Sequence, residues 1–96
     1  MHAVLRKYAG KGAKELIDLI EKNKSAIVAL LRQVPGFVSY TLARTEAGGF
    51  SVTVCQDQAG ISESNRIARE WIAQHAQGIT VAAPEVTAGG VIAHSA

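Results

Sequence analysis

Trp71 and His75 stand four residues apart, so on a helix they share one face and invite weighing as a pair. A tryptophan there walls a pocket or anchors a core, and a histidine serves as a base near neutral pH or complements a helix end. Arg6, Tyr40 and Arg44 make a second set, on segments of alternating apolar residues. An arginine in such a strand has to reach the sheet edge, pair with a carboxylate or meet an anionic ligand, because a bare buried charge is costly. Cys55 has no basic neighbour in sequence to lower its pKa and reads as a buried, inert strand thiol. His2 and His94 lie near the two ends without a third ligand, so no metal site is expected. No Ser-His-Asp order is present, and Gly10-Lys11-Gly12 lacks the further glycine and the context of a phosphate or dinucleotide loop. Hydrolase and nucleotide-binding chemistry are thereby set aside.

The composition narrows the setting. A chain of 96 residues supports a single domain with a single core. One cysteine excludes an internal disulfide and fits a reducing cytoplasm. At the N-terminus, charge follows a few apolar residues, whereas a secretion signal needs a long apolar run after its charge. The longest helix candidate carries Lys14, Glu15, Asp18, Glu21, Lys22, Lys24 and Arg32, which a bilayer rejects, so no membrane span is expected. Net charge is only +2, with acidic and basic residues interleaved. Tyr8, Phe37, Tyr40, Phe50 and Trp71 form no aromatic-basic array, and nucleic acid is not an expected partner.

The elements that must carry these residues follow from the hydrophobic period. Ala3–Tyr8 reads as a strand with Val4, Arg6 and Tyr8 on one side, broken by Gly10 and Gly12. From Ala13 to Val34 apolar residues recur at three- and four-residue spacing, which predicts one long helix stopped by Pro35-Gly36. Phe37–Arg44 and Phe50–Gln56 alternate as antiparallel strands joined by a glycine-bearing hairpin, with Phe50, Val52 and Val54 on one side. Asp57–Gly60 reads as a loop, Ser62 as the cap of a second helix ending at Gly78, and Ile67, Ala68, Trp71, Ile72 and His75 as its inner stripe. Ile79–Pro84 stays open between coil and a brief edge strand. Glu85–Ala93 supplies the last strand, with Gly89-Gly90 bulging it or admitting another backbone. The order βαββαβ predicts an α+β fold with two helices on one face of an antiparallel sheet. The other face is too apolar to stand open, so a second copy is expected to cover it.

Pro35-Gly36-Phe37-Val38-Ser39-Tyr40 after a long amphipathic helix, then Arg44, Gly48-Gly49 and Val52-Thr53-Val54-Cys55, resembles the antibiotic biosynthesis monooxygenase-like family of small bacterial domains. The likeness spans nearly the whole chain. It implies a ferredoxin-like protomer whose sheet faces that of a partner in a dimeric α+β barrel, with a pocket in each subunit. It implies a spread of activities too: some members oxidise aromatic polyketides without a cofactor, others degrade haem, and many have none assigned. The haem-degrading members use an asparagine, a tryptophan and a histidine spaced more widely than Trp71 and His75, and strand one has no asparagine here. No haem ligand is carried over and no cofactor is expected. For the quinone-forming members the resemblance implies Trp71 and, by analogy, Asn65 as pocket residues. The candidate pocket set is then Arg6, Tyr40, Asn65, Trp71 and His75, with no catalytic role assigned. The leading reading is a homodimer binding a small apolar or aromatic molecule, with monooxygenase-like chemistry. The alternative is a non-catalytic stress-type or structural dimer, and haem binding through His75 ranks third.

Overall fold

The structure, a computed structural model, describes residues 1–95. Along them run β1 (His2–Ala9), α1 (Ala13–Lys22), α2 (Lys24–Arg32), β2 (Phe37–Thr45), β3 (Gly48–Cys55), α3 (Gln58–His75) and β4 (Glu85–Gly90). The strands form one antiparallel sheet in the order β2-β3-β1-β4, the ferredoxin-like arrangement, with the helices packed on one face.

Alternation in β1 puts Val4, Arg6 and Tyr8 under the helices, each nearly inaccessible, while Leu5 and Lys7 face the other way. Register then decides the rest of each face. Arg6 lies opposite Ser51 and Val4 opposite Thr53, while Tyr40 pairs with Thr53 and Leu42 with Ser51. Leu5 stands opposite Val52, and Ala3 opposite Val54, on the face without helices. The β3 row that meets the helices is therefore Gly49, Ser51, Thr53 and Cys55, and the apolar row Phe50, Val52 and Val54 points away from them.

The long helix expected over Ala13–Val34 is two helices, so three cover the sheet rather than two. The break is at Asn23, whose backbone leaves helical geometry at φ −114° and ψ 19°. Its side-chain amide donates to the Leu19 carbonyl at 2.9 Å and its N–H to Ile20 at 3.0 Å. Asparagine competes with the helix ladder in this way, and the bend lets Ile17 and Ile20 of α1 and Ile27 and Leu31 of α2 all reach the core.

The start of α3 corrects another expectation. Asp57, not Ser62, is the cap, its carboxylate accepting the Gly60 N–H at 3.0 Å. Gly60 fits the first turn because a Cβ there would stand 2.9 Å from the Cys55 Cβ. The helix also ends at His75, before Gly78. Ile79–Pro84 takes no regular structure and is tied back by Ala82 N–H donating to the Lys11 carbonyl at 3.2 Å. Gly12 makes that strap fit: its φ is +79°, and a Cβ on it would lie 2.1 Å from the Thr80 carbonyl oxygen. The last strand stops at Gly90, and Gly89-Gly90 pairs in register with Ala3 and His2 without a bulge. All of β4 is exposed. Among the described residues no helix is long and apolar enough to cross a membrane.

Candidate functional site

Arg6 is 3% exposed, held by the middle of a strand with neighbours on both sides, so it cannot reach a sheet edge. Among the described residues no carboxylate comes within 4.0 Å of it. Its partners are neutral oxygens. Nη2 donates to Thr53 Oγ1 at 2.7 Å, Nη1 to Asn65 Oδ1 at 2.6 Å and Nε to Ser51 Oγ at 3.3 Å. Each hydrogen bond to a charged group contributes roughly 1.5–3 kcal/mol, and together they offset a burial penalty of several kcal/mol. They leave the positive charge itself unneutralised.

Two phenols complete the cluster. Burial raises the Tyr8 pKa above its ordinary value, against the opposing pull of the Arg6 charge and of a hydrogen bond with Arg6. Burial likewise raises that of Tyr40, with Arg6 and a hydrogen bond to Ser51 pulling it down and Tyr8 adding to the rise. Both hydroxyls stay protonated at neutral pH, and the Tyr8 oxygen accepts from the Arg6 guanidinium.

Two spaces meet at the guanidinium. One, about 30 Å³, lies between the sheet and the helices, with Arg6, Tyr8, Tyr40, Ile27 and Trp71 in its wall. That is room for about two waters. The other, about 470 Å³, lies under the Ile79–Pro84 strap between β1 and α3. Arg6, Tyr8, Asn65 and Arg69 give it a polar side, and Leu16, Ile72, Val81 and Val86 an apolar one.

The structure thus brings Arg6, Tyr40 and Asn65 of the expected set around one charge and sets Trp71 beside them. His75 is elsewhere. It is exposed rather than part of the inner stripe, its ring stacked on Trp71 at 4.4 Å between centroids and its Nδ1 2.9 Å from the Trp71 carbonyl oxygen. Together they line a broad groove of about 1150 Å³ between α2 and α3, away from Arg6. Arg44 is a surface tether, pairing with Asp18 at 2.8 Å and Glu21 at 2.5 Å of α1. Cys55 is fully buried, and burial, with help from the Asp57 charge, raises its thiol pKa. Among the described residues no three His, Cys, Asp or Glu side chains converge as metal ligands would.

Tyr8, Ser51, Thr53 and Arg69 were not singled out by sequence reading. Strand alternation already separated Ser51 and Thr53 from Phe50, Val52 and Val54. What it lacked was the side on which the helices lie.

No model of a known protein family matches the chain, and no curated protein matches it. Solved structures do. Their number includes antibiotic biosynthesis monooxygenase-like proteins. The fold is shared with NE2512 of Nitrosomonas europaea, a protein of unknown function, at a TM-score of 0.71 and 13% identity, over 99% of this chain and 91% of that one. It is shared with SnoaB, a cofactor-independent oxygenase of Streptomyces nogalater, at a TM-score of 0.61 and 18% identity, over 97% and 93%. A dimeric ferredoxin-like protein of an uncultured marine organism matches at a TM-score of 0.65 and 10% identity, over 99% and 95%. At these identities the likeness carries the fold and leaves the chemistry to the site.

Proposed function

We propose that the chain binds a small, largely apolar aromatic molecule under the Ile79–Pro84 strap and promotes its oxidation by molecular oxygen without a cofactor. The observation that carries this reading is the buried Arg6 charge in the wall of a cavity large enough for such a molecule. A guanidinium beside an aromatic hydroxyl favours the phenolate, and a phenolate surrenders an electron to oxygen far more readily than the phenol does. At an activated ring methylene the balance is CH2 + O2 → C=O + H2O: one oxygen atom enters as the carbonyl and the other leaves as water. Tyr8 and Tyr40 stay protonated and are poor bases, and neither Asp, Glu nor His lines the cavity, so the proton leaves to solvent. The rate is then expected to rise with pH as the substrate's own hydroxyl ionises. The test is oxygen uptake with a panel of dihydroxy-aromatic compounds, run with and without air. Oxygen-dependent product that rises with pH supports the reading, and inertness across the panel removes it.

The unhelixed sheet face, with Leu5, Phe50 and Val52, is part of the same proposal: a second copy covers it, as the dimeric ferredoxin-like relative in fold suggests. A second reading, a non-catalytic dimer, draws on one observation. The space shared by Tyr40 and Trp71 is almost filled by side chains. The cavity on the other side of Arg6 favours the first reading.

A further inference from the structure

We infer that the cavity under the Ile79–Pro84 strap recognises a small organic anion, a monocarboxylate on an apolar body, with Arg6 as its buried anchor and Arg69 as the charge at its mouth. The inference rests on the cavity reading above and not on its oxygen chemistry. Three observations converge on it. First, Arg6 is 97% removed from solvent by its 3% exposure, yet neutral Ser51, Thr53 and Asn65 surround it where a structural arginine would meet a carboxylate. A guanidinium has five N–H groups in a planar fork. Thr53 and Asn65 each take a single bond from the two terminal nitrogens. Each terminal nitrogen carries a second N–H, so there is donor capacity for Tyr8 and for a ligand.

Second, Arg69 lines the same cavity from the exposed side of α3 and forms no ion pair among the described residues. The neighbouring Arg66 behaves differently: it is neutralised by Glu63 and by Glu70, the latter at 2.7 Å. Third, the wall contains two arginines, a phenol and an amide, and no Asp or Glu, while Leu16, Ile72, Val81 and Val86 form its other side. A wall so divided suits a ligand with one anionic end and one apolar end. With Tyr8 served, one guanidinium N–H remains for the ligand, and a carboxylate oxygen takes it in a charge-assisted bond that a neutral group does not match. A neutral ligand of the same size would leave the buried charge as uncompensated as it is without one.

The test is calorimetric titration of the full chain, without oxygen, using naphthoate and its uncharged isostere naphthamide as probes. Naphthoate should bind at least about tenfold more tightly, because its bonds to arginine are charge-assisted, and the preference should shrink as salt is added. Arg69→Gln, on the surface, should weaken naphthoate roughly 2- to 5-fold, as for an exposed ion pair, and leave naphthamide unchanged. Arg6→Met, verified as folded by circular dichroism, should cost naphthoate roughly 30-fold or more, as for a buried charge pair losing one member. Should Arg6→Met fail to fold, Arg69→Gln and the salt dependence decide. Equal affinity for the two probes, indifference of naphthoate to Arg69→Gln, or binding of neither probe overturns the inference. The two readings fail separately. Turnover of dihydroxy-aromatics with equal probe affinities keeps the oxidation and removes the anion site, and a naphthoate preference without turnover does the reverse.

Discussion

Arg6 shows how one residue sets the character of a site. Its position on a central strand forces burial, and the polar row of β3 makes that burial tolerable without neutralising it. Tyr8 and Tyr40 belong to the same environment and are the chain's 2 tyrosines, so their titration can be read without interference. Both pKa values are raised from the ordinary 10.0, mainly by burial. The folded chain favours the neutral phenols, so this contribution to stability is full below pH 10.0 and declines as pH rises through the folded values. Tyrosinate absorbance should therefore appear at higher pH in the native chain than in urea, with stability falling in that interval. Coincident native and unfolded titrations would contradict the burial. Arg6 itself was legible in the sequence as an arginine needing an explanation. Which explanation held depended on Ser51, Thr53 and Asn65, which are 45, 47 and 59 residues away.

Elements hold this cluster in place through a few tight approaches. The strap closing the cavity meets the β1–α1 turn at Gly12, where positive φ and the Thr80 carbonyl leave no room for a side chain. Gly12→Ala is expected to lower stability by about 2 kcal/mol or more, from left-handed backbone strain plus displacement of the strap, measured by urea unfolding. The same substitution should weaken any ligand held beneath the strap. An unchanged midpoint would mean the strap yields freely. Strand positions and the β2–β3 hairpin were readable from alternation and glycine placement, because both are local. The break at Asn23 was not, since the apolar period continues through it and only a competing side-chain bond interrupts the ladder. The cap at Asp57 was missed for a related reason: Gly60 reads as a loop residue until its contact with Cys55 is known.

On the scale of the whole molecule, the sheet is covered on one face only. On the face without helices Leu5 of the central strand β1 remains 39% exposed, beside the half-buried Phe50 and Val52 of β3. Sedimentation equilibrium at micromolar concentration should find a dimer. Val52→Lys, which places a charge in the middle of the open face without touching the helix layer, should raise the dissociation constant roughly 30-fold or more, the scale of a central interface residue. Its circular dichroism should stay unchanged. A folded lone protomer in the parent chain would remove the pairing.

Element types, the order of the strands and of the helical segments between them, and the presence of a strand arginine in an apolar setting were determined by the sequence alone, because periodicity, turn residues and desolvation cost act over short stretches of chain. Tertiary structure alone decided which β3 row meets the helices, that His75 sits on the groove side while Trp71 reaches both the groove and the small space at Arg6, and that Arg69 joins Arg6 under the strap. Those outcomes turn on long-range register and on which sheet face the helices cover. Shifting a strand by one residue exchanges its two faces, and no local pattern records which face was chosen.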